Sequence, residues 1–177
     1  WMLGWGWLSV RRRDHADHGA AAVEFALVVP ILLMLLFGMI DYGLYFSNQL
    51  GVQQGARDAA RQAAVGSSLG STSSCGMVWS TTPNTEGRKL GCLVLSRTDP
   101  AVGTTYVKIK VPAAGWAKGR ILTVCEMVKT DGLTGFVPMP NKGIVSTKVE
   151  MSIEQEVSSP PNSGQQAPPT GASWSWC

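Results

Sequence analysis

The sequence predicts an α+β fold: a long N-terminal helix followed by a small antiparallel sheet of three to four strands. Three observations carry this. Ala20 to Ile40 is continuously apolar with one charge, Glu24. Small residues then recur every four positions, at Gly51, Gly55, Ala59 and Ala63. Beyond a Ser/Gly-rich linker the apolar period changes to two, as in a sheet with one wet face. The organisation read from this is a leader over 1–19, a helix over 20–66, a β-rich domain over 67–157 and a Pro/Ser-rich tail over 158–177.

Residues Trp1 to Val10 are apolar but too few to span a bilayer. Met2, or Val10 if encoded by GTG, is a candidate initiator, and the stretch is given no function. "RRRDHADHG" follows, ending at Gly19. Its two histidines and two aspartates lie in a solvated leader with nothing to set a metal geometry. Ala20 to Ile40 as a helix covers about 31 Å, which matches a ~30 Å hydrocarbon core. Continuous apolarity without a polar face argues against a buried core helix. Arg11, Arg12 and Arg13 precede the segment, and only Arg57 is basic in the twenty residues after it. The positive-inside bias therefore puts the N-terminus in the cytoplasm and the rest outside, as a single pass of the cytoplasmic membrane. A signal peptide would end near an A-x-A pattern, and "GMIDYG" offers none.

The helix is expected to continue to about Gly66, where "SSLGSTSS" ends it. As one helix, Ala20 to Val65 would run about 70 Å, with a kink at Pro30. Two glycines on one face imply that something packs closely there. The chain's own sheet and another subunit are both candidates. Among the strands, Leu93 to Leu95 is a short apolar run. Val107, Ile109 and Val111 alternate with Tyr106, Lys108 and Lys110, and "RILTVCEMV" spans Arg120 to Val128. Val145, Thr147, Val149, Met151 and Ile153 face one way. Glu150, Glu154 and Glu156 read as a solvated face along one strand. Ser158 to Ala172 reads as disordered.

Cys75, Cys92, Cys125 and Cys177 form no CxxC pair and have no histidine near them, which argues against zinc. An even number beyond a membrane segment suggests disulfides in an oxidising compartment. Three connectivities are open, with Cys75–Cys92 favoured because the two flank one short segment; four free thiols are the alternative. No histidine follows Gly19, so no Ser-His or Cys-His pair is available, and there is no phosphate-binding loop or HExxH. The chain reads as neither an enzyme nor a nucleic-acid binder, and no cofactor is expected.

Glu24 is then the anomaly. A carboxylate costs about 2.5–3.5 kcal/mol at mid-bilayer and less near the interface. Its partner could be the amine exposed at Ala20 by a cut after Gly19, on its own chain or a neighbour. Basic leader, Gly19, Ala20 to Val23, Glu24-Phe25, Pro30 and Asp41-Tyr42-Gly43 together resemble the start of TadE-like pseudopilins of the tight-adherence (Flp-type) pilus system. "GARDAARQAA" is similar to the Ala/Arg-rich helix that follows in that family, so the resemblance covers about Gly19 to Val65. It implies a pilin-like fold and a minor pseudopilin that primes, caps or supports a type IV filament. A prepilin peptidase would cut Gly19–Ala20. Pilus platform proteins and other pilins or pseudopilins would be its partners, and the filament its destination. The reading from a different class is a single-pass membrane-anchored binding or adhesin module in which Gly19 and Glu24 are incidental.

Overall fold

The computed structural model describes residues 14–100, 102–132, 134–135 and 138–177. Arg11 to Arg13, on which the topology reading leaned, lie outside the described residues, as do Trp1 to Val10. Five strands and two α-helices follow in the order α1 (Asp14–Ala64), β1 (Trp79–Thr81), α2 (Thr85–Thr98), β2 (Thr104–Lys110), β3 (Ile121–Lys129), β4 (Ile144–Ser152) and β5 (Gly164–Gln166). The strand order is β1-β5-β2-β3-β4, antiparallel throughout. The α+β class stands, with five strands in place of three to four. The chain divides into two compact units, Trp1–Met39 and Ile40–Cys177.

In the first unit every residue from Gly19 to Met39 is exposed or half-exposed, and α1 runs through Pro30. The helix begins at Asp14, so it takes in the end of the segment read as a solvated leader.

In the second unit α1 becomes a packing element. Ala56, Ala59, Ala60 and Ala63 are buried against Leu90 and Val94 of α2 and against Val107, Ile109, Leu122, Val124 and Val149 of the sheet. Alanines suit this seam because they let a helix backbone lie close to a sheet without a gap. Gly51 and Gly55 meet the C-terminal end of α2: a Cβ on Gly51 would lie 3.1 Å from the Thr98 carbonyl, and one on Gly55 would collide with Thr98. The small-residue stripe is therefore covered by the chain's own domain. The helix ends in a Schellman motif, in which Ser67 N–H donates to Gln62 O and Gly66 N–H to Ala63 O. Gly66, at φ +66°, takes the left-handed position that the motif requires.

Leu93 to Leu95, expected in a strand, lie in α2. Asn84 caps that helix, its Oδ1 accepting from Gly87 N–H at 2.9 Å. Leu90, Leu93 and Val94 follow at helical spacing, and Leu90 and Val94 are fully buried. Trp79 of β1 packs over Gly91, where a Cβ would lie 2.7 Å from the indole.

The tail expected to be disordered is ordered and pays its entropy through specific bonds. Asn162 and Asn84 bond reciprocally, at 2.6 and 3.2 Å. Ser163 Oγ accepts from Val111 N–H and Gln166 Oε1 from Val107 N–H, both at 2.8 Å. β5 thereby inserts between β1 and β2. Trp174 is buried, donates from Nε1 to Gln166 O at 2.8 Å, and packs with Cys125, Met127 and Ile144. Disulfides join Cys75 to Cys92 and Cys125 to Cys177. The sheet face expected to be wet is thus partly roofed, and β3 is buried on both faces from Leu122 to Val128. Glu150 lies in β4 and pairs with Lys148 at 2.7 Å, whereas Glu154 and Glu156 lie beyond the strand, exposed.

Two outcomes follow for the full chain in detergent micelles. Gly55→Ala should destabilise the second unit by about 1–3 kcal/mol through overpacking on Thr98. Gly43→Ala, where a Cβ meets nothing within 4 Å, should stabilise by about 1 kcal/mol through helix propensity. Equal effects in denaturant unfolding would contradict the packing described. For the disulfides, with sequence separations of 17 and 52, replacing both cysteines by serine should cost about 3 kcal/mol at Cys75–Cys92 and about 4 kcal/mol at Cys125–Cys177. Non-reducing peptide mapping should recover those two pairs and no others.

Candidate membrane and assembly segment

The residues singled out by sequence lie at the head of α1. Gly19 and Ala20 sit within an unbroken helix, exposed, and nothing lies within 4 Å of a Cβ built on Gly19. Glu24 is exposed and makes no ion pair with a described residue. Beside it Phe25 is 70% exposed, and Leu27, Ile31 and Met34 are similarly open to the surroundings. An apolar surface of this extent has no place in water. The helix from Gly19 to Ala64 contains a window of mean hydropathy 2.6, none of it buried within the protein. It is one N-terminal apolar helix consistent with a single membrane anchor.

A change of role is visible at Asp41. Its side chain is 1% exposed, and Oδ2 accepts from Thr134 Oγ1 at 2.6 Å. Tyr42 donates from its hydroxyl to Pro138 O at 3.3 Å. The acidic-aromatic pair at the end of the apolar run is thus gripped by the loop between β3 and β4. Seven residues on, Asn48 is buried and donates from Nδ2 to Val102 O at 2.7 Å and to Thr130 Oγ1 at 2.8 Å.

Sequence reasoning missed this polar layer beneath α1, and with it Glu126. Glu126 is fully buried in the centre of β3, in contact with Thr98 Oγ1 through Oε1. Burial pushes its carboxyl up to about 8, with the Thr98 hydrogen bond opposing the rise. The signal was available: Glu126 has the strand parity of Leu122, Val124 and Val128, all of which face the helix. Gly19, Ala20, Glu24, Phe25 and Pro30 belong to the first unit, and no described group of three or more His, Cys, Asp or Glu residues forms a metal cluster.

The arrangement is an anchor-type apolar helix whose C-terminal part is built into a small disulfide-bonded α+β domain. Residues 19–61, about a quarter of the chain, match the family model described as TadE-like protein. Neither the curated proteins nor the solved structures contain a match. The matched segment ends inside the docked part of α1, so the sheet lies outside the family match.

Proposed function

We propose that this protein is a minor pseudopilin that takes part in assembling a tight-adherence pilus, by priming, capping or supporting the filament. The observation that carries the reading is the exposed apolar helix headed by Gly19, Ala20, Glu24 and Phe25 within the TadE-like segment. The N-terminus is cytoplasmic and the sheet domain extracytoplasmic, an arrangement that two disulfides favour because thiols oxidise outside the cytoplasm. A prepilin peptidase cuts Gly19–Ala20. The platform proteins and other pilins then engage the helix. Because the small-residue stripe is occupied by the chain's own α2 and sheet, contacts with other subunits fall to the exposed apolar part of α1.

Glu24 follows from the same chemistry. Once Ala20 carries a free amine, that cation and the carboxylate can pair as the helix leaves lipid, where either ion alone would be costly. The pair lies about one helical turn apart on one chain, and a neighbouring subunit offers the same amine.

Two experiments test this. In cells carrying the peptidase, the mature N-terminus should be Ala20 by intact mass and N-terminal sequencing, and Gly19→Arg should leave the precursor uncut. A mature chain beginning elsewhere would favour the anchored-module reading. Glu24→Ala should insert and be processed normally, since removing a charge makes the helix more apolar. Its incorporation into pili and co-purification with pilus components should be lost, with Glu24→Gln nearly as defective. Normal assembly by processed Glu24→Ala protein would remove the proposed role of the carboxylate.

A further inference from the structure

Glu126 has an environment that only its neutral form satisfies. Thr98 Oγ1 lies within hydrogen-bond reach of both Glu126 Oε1 and Val94 O, the latter at 2.9 Å. A hydroxyl has one proton. With an ionised Glu126, both neighbours of that hydroxyl only accept, and one contact is left without a hydrogen. A protonated Glu126 completes the chain: its O–H donates to Thr98 Oγ1, and Thr98 donates to Val94 O. Glu126 Oε2 is buried with no partner among the described residues, which is tolerable for a neutral acid and costly for a carboxylate.

No described residue forms an ion pair with Glu126. Thr98 lies against Gly51 and Gly55 of α1, and Val52 of α1 packs with Val128 of β3. Across the strands, Glu126 faces Val107 of β2 and Thr147 of β4. None of these titrates. Arg57 and Asp58 on α1, and Arg97 and Asp99 around the end of α2, are exposed. Lys108 and Lys148 stand opposite Cys125, on the other face of the sheet.

We propose that Glu126 is a proton-operated latch between α1 and the sheet. Protonated, it holds the Asn48–Ala64 part of α1 against α2 and β3. Ionised, it draws water into the seam, and that part of α1 lifts while β2, β3 and β4 remain paired. Lifting uncovers the close-packed face of Gly51 and Gly55. Processing at Gly19 and assembly into a filament are not required for this behaviour.

The sign follows from linkage. A carboxyl whose folded pKa is raised favours the closed state at low pH, and that advantage is lost as pH rises from the ordinary carboxylate range towards about 8. The test is amide hydrogen exchange on the full chain in detergent micelles between pH 5.5 and 9.5, corrected for intrinsic exchange rates. Protection of residues 48–64 should fall by up to tenfold per pH unit, level off above about pH 8, and leave β3 and β4 peptides protected. Glu126→Gln, which keeps a donor for Thr98 and cannot ionise, should be flat over the same range. An equal slope in Glu126→Gln, no slope in the wild type, or simultaneous loss in the strands would overturn the latch. Should Glu126→Gln not fold, carboxyl-carbon NMR of the wild type decides: titration at the ordinary glutamate pKa overturns the proposal, and titration well above it supports it.

Discussion

The close approach of α1 to the end of α2 is the constraint on which the second unit depends. Gly51 and Gly55 admit Thr98, and Thr98 in turn reaches Glu126 in the middle of β3. A larger side chain at either glycine would lift the helix from the sheet and open the alanine seam of Ala56, Ala59, Ala60 and Ala63. Glycine is a poor helix former, so these positions give up helix propensity in return for proximity. The first unit makes no such exchange. Its helix is rich in Leu, Val and Ile, whose side chains point outward.

One helix thus serves two solvents. From Gly19 to Met39 it presents bulk apolar surface to its surroundings. From Asp41 it presents small and polar residues to a protein interior. The junction is marked by a buried acid, Asp41, and by Tyr42, both bonded to the β3–β4 loop. Pairing Asp41 there satisfies a group that would otherwise have no good environment in lipid or in a core.

Much of this was legible in the sequence, and for physical reasons. The apolar run, the four-residue spacing and the alternation of Val107 with Ile109 are local periodicities that burial imposes directly. Leu93 to Leu95 misled because a three-residue apolar run fits either period; the Asn84 cap was the arbiter. The tail misled more deeply. Pro, Ser and Gln over 158–172 have the composition of a disordered segment, and its order comes from partners far away in sequence. Asn84, Val107, Val111 and Cys125 hold it, and no window of local sequence contains them. Glu126 was invisible for a related reason: strand parity placed it inward, but only the tertiary contact with Thr98 explains why an acid is tolerated there. The head of α1, with Gly19, Glu24 and Phe25 at fixed spacing, lies within the segment matched by the family model.

The position of β5 has a consequence for the order of events as the chain is made. It lies between β1 and β2, so the strand that joins the two parts of the sheet is drawn from residues 164–166. Until those residues are free to fold, β1 has no neighbour and β2 has one open edge. Its contacts span large sequence separations, which makes them slow to form. The apolar helix is complete long before then. Completion of the helix therefore precedes completion of the sheet, and a half-made chain carries its last gap still open. An unpaired edge invites other strands, so the half-made sheet is open to wrong partners until residues 164–166 fill the gap.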